Sequence, residues 1–139
     1  MSSELFISRT KQGEIEPFSK SKLIEKLKPY IIKEEPEFNL LHVNFSKNIP
    51  DGGQFYLTED KNNPENLLSL AINRVTGRGL FWDYLYDFLK SDNYVLYWPG
   101  SHPIVGLADT ISNLPIDMIK SLGDPITVHS GKEILDLFK

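Results

Sequence analysis

The 139-residue chain contains no cysteine. That excludes disulfide scaffolds, thiolate zinc sites, iron–sulfur clusters and cysteine nucleophiles, and it fits a reducing compartment. No apolar run approaches the roughly 20 residues that a membrane-spanning helix needs. Met1-Ser2-Ser3-Glu4 offers neither the basic segment nor the apolar core of a signal peptide, so a cytoplasmic protein with no membrane association is expected. Positive charge is also short. Lys and Arg number 15 against 19 Asp and Glu, a formal net charge of −4. A chain that grips nucleic acid through phosphates needs a basic field, and none is present, so no direct nucleic-acid contact is expected. There is no internal repeat and no linker rich in Gly, Ser or Pro; the nine prolines and nine glycines are scattered as punctuation between short elements.

What is present is ordinary globular composition, 40% hydrophobic, 24% charged and 12% aromatic. A chain of this length buries about two thirds of its unfolded surface, so it needs no metal or disulfide to fold. A single globular domain spanning residues 1–139 is expected. Its charge is uneven. Residues 1–50 carry eight basic and seven acidic side chains, residues 51–139 seven and twelve. The later part is the expected face for a basic partner.

The hydrophobic pattern predicts a single α+β domain with a mixed or antiparallel sheet and about four or five helices. Leu5 to Arg9 reads as a strand closed by the turn Lys11-Gln12-Gly13, with Glu14 to Phe18 extended. Ser19 or Ser21 caps a helix running to about Lys33, its apolar stripe set by Leu23, Leu27, Tyr30 and Ile31, with Pro29 a kink or early end. Glu34-Glu35-Pro36-Glu37 reads as a loop. Leu40 to Phe45 and Gln54 to Thr58 read as strands of a hairpin around Pro50-Asp51-Gly52-Gly53. Asn63-Pro64-Glu65 has the form of a helix start, and Leu67, Leu68, Ala71, Ile72 and Val75 suit the buried face of that helix. Leu80 to Lys90 is the most apolar helix. Tyr94 to Trp98 is the clearest strand, and Ile104 to Ala108 a short further one. Leu114-Pro115 opens a short helix closed by Gly123. Ile126 to Val128 is a strand, and Ser130 with Glu133 makes a capping box before a last helix, Lys132 to Phe138.

Motifs for chemistry are missing. Ser130-Gly131-Lys132 resembles the tail of a phosphate loop, but Ile126 stands where the loop's first glycine is required, so the segment reads as a helix cap. Thr76-Gly77-Arg78-Gly79 reads as a connection between helices. Ser101 and His102 are adjacent, too close in sequence for a nucleophile–base pair, and no Gly-x-Ser-x-Gly elbow occurs. His42, His102 and His129 have no metal-ligand spacing. Glu59-Asp60 and the pair Asp83/Asp87 fit a solvated surface. No catalytic residue, no metal and no cofactor is expected, and the chain reads as a non-enzyme.

Aromatic residues supply the positive signal. Trp82, Tyr84, Tyr86, Tyr94, Tyr97 and Trp98 crowd one stretch together with Asp83, Asp87 and Asp92. Rings ringed by charge are what protein interfaces use as anchors. Asp83, Tyr86 and Asp87 lie three and four apart and share a helix face. Trp98 and His102 flank that face if the short Ser91-Asp92-Asn93 connection keeps strand and helix side by side. These five residues are the expected partner-binding set.

In size, acidity, lack of cysteine and the stretch Trp82-Asp83-Tyr84-Leu85-Tyr86-Asp87, the chain resembles the immunity proteins with which bacteria neutralise their own polymorphic or contact-delivered toxins. The resemblance rests on no family motif, so no family residue transfers. It implies a non-catalytic binding module that covers the active site of a basic toxin, a nuclease among the possibilities. The alternative expectation is a small enzyme or ligand-binding protein with a pocket near Trp98 and His102.

Overall fold

A computed structural model describes residues 4–77, 79–98 and 104–138. Its centre is the first strand. β1 (Glu4–Lys11) pairs antiparallel with β7 (Asn63–Thr76) on one side and β8 (Tyr94–Tyr97) on the other. Outward from β7 run β6 (Gly52–Asp60), β5 (Leu40–Asn44) and β4 (Ile31–Glu35); outward from β8 run β9 (Val105–Gly106) and β10 (Ile126–Thr127). Two short strands, β2 (Glu14–Glu16) and β3 (Phe18–Ser19), hang on β1 and β7 and complete a 10-stranded sheet. Among the described residues only the β9–β10 pair is parallel, so the expected α+β domain with a mixed sheet is what forms.

Among the described residues five α-helices dress this sheet: α1 (Lys20–Leu27), α2 (Leu80–Ser91), α3 (Ala108–Ile111), α4 (Ile116–Leu122) and α5 (Gly131–Phe138). Period-two alternation assigns the two faces. Leu5 and Ile7 of β1, Leu70 and Ile72 of β7 and Leu96 of β8 point to one side, where they pack with Leu23 of α1, Leu85 of α2 and Ile134 of α5. Val95 of β8 points to the other side, into a smaller cluster with Ile104, Leu114 and residues of α3 and α4. Farther along that second face Tyr97, Phe6, Ala71 and Tyr56 stand in one half-buried row across four strands, with the Phe6 and Tyr97 rings stacked at 5.5 Å.

Two expectations need correction. The segment 63–75 is not a helix but the long strand β7. Asp60 pairs with Asn63 across a two-residue turn, and Pro64 lies in the irregular stretch before regular pairing begins, where no ladder donor is needed. A bulge follows: Glu59 pairs with Leu67 and Thr58 with Ser69, so Leu68 is an extra residue. The bulge spaces the buried Leu67 and Leu70 three apart, which imitates a helical stripe, while Leu68 is 37% exposed. The second correction concerns residues 28–37. Ser19 caps α1 as expected, its Oγ accepting from the Lys22 N–H at 3.3 Å, but the helix stops at Leu27. Pro29 removes a backbone donor and forces a single 3-10 turn, Lys28–Tyr30. Ile31–Glu35 then becomes the edge strand β4 instead of helix and loop. Its register slips between Ile31 and Lys33, which leaves Ile32 bulged outward and 72% exposed.

Asp51 ties the sheet to α2. Residue Gly79, at the helix start, has no side chain to offer the free N–H groups of the first turn. Asp51, buried at 2% exposure in the β5–β6 connection, supplies the missing cap from 30 residues away: its Oδ1 accepts from the Phe81 N–H at 3.0 Å. Its Oδ2 accepts from Ser46 Oγ at 2.6 Å, and its own N–H donates to Asn44 Oδ1. A carboxylate here also meets the positive end of the helix dipole. Asp51→Ala strands these donors in the interior and should lower stability by about 2 kcal/mol in urea denaturation. Asp51→Asn keeps one acceptor and should lose less.

A second polar tie joins α1 to the sheet. Lys20 Nζ donates to Glu59 Oε2 at 2.7 Å and to Asn39 Oδ1 at 3.3 Å, and Asn39 Nδ2 donates to Glu59 Oε1 at 3.3 Å. The Lys20 and Asn39 hydrogen bonds hold the Glu59 carboxyl below its usual 4.5. A lowered carboxylate stabilises the fold fully above the unfolded value and loses that contribution as pH falls through the folded one. Carbon-detected NMR titration should place the Glu59 midpoint below 4.5. In Lys20→Met it should move up, and stability should decline less steeply with acid.

Candidate protein-binding face

Helix α2 forms because its apolar residues recur at helical spacing. Phe81, Leu85 and Leu89 are buried against the sheet, and Trp82 turns toward α5. That leaves positions 83, 86, 87 and 90 on the outer crest. Asp83 and Asp87 are exposed, and Tyr86 between them is half-buried against the core. Lys90 shares the crest, its Nζ 3.6 Å from Asp87 Oδ1 and 5.2 Å from the Tyr86 ring centre. Asp83 has no ion-pair partner among the described residues, so its charge is the less compensated of the two.

α5 lies beside this crest at unusually close range. A Cβ on Gly131 would sit 2.6 Å from both Trp82 C and Asp83 Oδ1. Glycine is required here by backbone approach, not by its dihedral freedom. The capping box expected at this point is half made: Ser130 Oγ accepts from the Glu133 N–H at 3.2 Å, while the Glu133 carboxylate turns to His129 Nδ1 at 3.3 Å. With Glu133 and Asp136 exposed on α5 and Lys132 bridging to Asp136 at 3.0 Å, the two helices form one layer with more acid than base.

The structure brings Asp83, Tyr86 and Asp87 together as the spacing predicts. Trp98 is not beside them on the surface. It is 3% exposed and packs edge-on against Phe138 at 5.8 Å, beneath α5, where Phe138 also meets Trp82 at 5.0 Å. Trp98 is thus the floor on which α5 rests. His102 lies outside the described residues, as do the rest of 99–103 and Arg78. His42 joins β5 to β4 through Glu35, Nε2 to Oε2 at 2.6 Å, and so serves the sheet. Among the described residues no group of three His, Cys, Asp or Glu is arranged to hold a metal.

One grouping escaped sequence reasoning. Tyr30, Phe45 and Tyr84, far apart in the chain, form an aromatic cluster: Phe45 and Tyr84 stack at 4.3 Å, Tyr30 leans on both, and the two tyrosine hydroxyls hydrogen-bond. That bond, with burial behind it, raises the Tyr84 hydroxyl above its usual 10.0. The cluster borders an apolar cleft between α1 and α2, at a different place from the pocket expected near Trp98. The only sequence signal was Tyr30 at the end of the α1 stripe, where a helix was expected to continue. Comparison with family models, curated proteins and solved structures finds no match to this chain.

The close α2–α5 contact gives a direct test of how the layer is held. Alanine raises helix propensity over glycine, so Gly131→Ala would stabilise α5 if only propensity mattered. The 2.6 Å approach reverses the sign. Gly131→Ala should lower stability by about 2 kcal/mol through overpacking. It should also change the emission of Trp82 and Trp98, both in contact with Phe138.

Proposed function

We propose that this chain is a non-catalytic binding module, an inhibitor of the immunity-protein kind that caps a basic protein partner, a toxin, through the outer layer of α2 and α5. The observation that carries the reading is the crest of α2. It presents two carboxylates one turn apart around a half-buried tyrosine, on a helix fixed at its start by Asp51 and along its side by α5. A fixed helix loses little freedom on binding, so such a face is pre-organised. Exposed carboxylates steer a positively charged partner and speed its approach, and an aromatic with a polar tip supplies the central anchor. The net charge of −4, concentrated after residue 50, agrees with this division of labour. The partner is a protein in the same cell, met without membrane or nucleic acid as intermediary.

The test uses the basic protein encoded beside this chain's gene. Asp83→Lys with Asp87→Lys should weaken binding at low salt by at least tenfold, mainly through slower association, with the far-ultraviolet spectrum unchanged. Tyr86→Ala should act on dissociation instead. Unchanged affinity in the folded double variant would place the contact on another face, and turnover of a small substrate by the isolated chain would defeat the non-catalytic reading.

A further inference from the structure

The cleft between α1 and α2 has a volume of about 340 Å³, at the small end of the range of ligand sites, roughly 300–1,000 Å³. Its floor is the helix-bearing face of the sheet: Ile7, Phe55 and Leu70. Leu23 and Leu27 of α1 form one wall, Leu85 and Phe88 of α2 the other. Apart from the mouth the lining is almost wholly apolar.

Two features argue that the space is built and not left over. An apolar cleft left open to water forgoes the burial that closure of its walls would gain. Here collapse is resisted, because Tyr30, Phe45 and Tyr84 interlock as flat rings at one end and the 3-10 turn imposed by Pro29 holds Tyr30 in place. The mouth also carries the few convergent polar groups that orient a ligand. These are the hydrogen-bonded hydroxyls of Tyr30 and Tyr84, with Lys26 on one helix and Asp87 on the other.

The chemistry of the mouth selects the occupant. Lys26 and Asp87 bring opposite charges, and each has a local contact: Lys26 Nζ lies 5.8 Å from the Phe88 ring centre, and Asp87 meets Lys90. With one charge of each sign the mouth carries no net charge, so it favours neither an anion nor a cation. The tyrosine pair uses one hydroxyl hydrogen between its members, which leaves the second hydrogen and free lone pairs for a neutral polar group. We propose that this cleft is a binding site for a small neutral molecule with an apolar body, aromatic or short aliphatic, and one hydroxyl that hydrogen-bonds the Tyr30–Tyr84 pair. The proposal does not rest on the protein-binding reading, although Asp87 borders both surfaces, and it is tested without any partner.

The probes are para-ethylphenol and ethylbenzene, which differ by the hydroxyl alone, added to the free isotope-labelled chain and followed by amide and methyl chemical shifts. Para-ethylphenol should bind with millimolar affinity or better and shift Leu23, Leu27, Tyr84 and Leu85. Leu27→Phe, which fills the cleft, should abolish those shifts. Tyr84→Phe should weaken para-ethylphenol by about fivefold and leave ethylbenzene unchanged. Absence of saturable shifts, shifts centred elsewhere, or binding that survives in folded Leu27→Phe would overturn the proposal. If Leu27→Phe does not fold, Tyr84→Phe decides: equal effects on the two probes, or none on either, overturn it as well.

Discussion

The carboxylate of Asp51 is the point at which sheet and helix become one structure. A helix that begins after glycine has free N–H groups and no side chain of its own to meet them. Asp51 meets one of them while its backbone and second oxygen fasten the β5–β6 connection through Asn44, Phe45 and Ser46. Neighbouring geometry is tuned to admit it. A Cβ on Gly77 would lie 3.0 Å from Asp51 Oδ1 and 2.7 Å from Phe81 Cβ, and the Gly77 carbonyl accepts from Trp82 Nε1 at 3.0 Å. The start of α2 is therefore set by groups in the β5–β6 connection and just past the end of β7.

Fixing α2 matters because its sides have separate uses. One buries Phe81, Leu85 and Leu89 on the sheet. Another, with Tyr84 and Phe88, walls the cleft shared with α1. The outer crest bears Asp83, Tyr86 and Asp87, and the flank toward α5 presents the backbone that Gly131 approaches. Asp87 belongs to both the crest and the mouth of the cleft. Any small rotation of α2 about its axis would change both surfaces together, and the cap at Asp51, the Tyr30–Tyr84 bond and the Gly131 contact restrain that rotation from three directions.

Much of this was legible in the sequence, and the exceptions have physical causes. The strands at Leu5, Leu40, Gln54 and Tyr94, the helix after Gly79 and the grouping of Asp83 with Asp87 follow from local periodicity, which tertiary packing reinforced. Strand β7 was misread because a bulge at Leu68 converts a period of two into a spacing of three, and because Asn-Pro-Glu begins an irregular strand as readily as a helix. The end of α1 turned on one residue, Pro29, whose missing donor outweighed the apolar stripe that continues through Tyr30 and Ile31. The nearness of Trp98 to charged residues in sequence suggests the surface, but the alternation of β8, carried one residue past its end, aims it at α5. The aromatic cluster and the cleft were beyond reach, since they depend on contacts such as Tyr30 with Tyr84, 54 positions apart.

The place of β1 carries a consequence for how the chain reaches this state. β1, the earliest of the described strands in the chain, sits in the middle of the sheet, and Ser8 meets Tyr97 across 89 steps of sequence. Its two neighbours, β7 and β8, come from beyond residue 62. Nascent chains emerge at about 5–20 residues per second, so the Leu5–Ile7 part of β1, beyond the local pairing of Arg9–Lys11 with β2, waits for seconds with both edges unpaired. During that time the hairpin of β5 and β6 can form from local contacts, but it lacks β7, the strand that joins it to β1. The second edge of β1 closes only once β8 has arrived, and a topology so rich in long-range pairing is expected to fold slowly. A segment as apolar as Leu5-Phe6-Ile7 therefore stays without its ladder partners throughout that interval, and its burial is among the last steps that the topology allows.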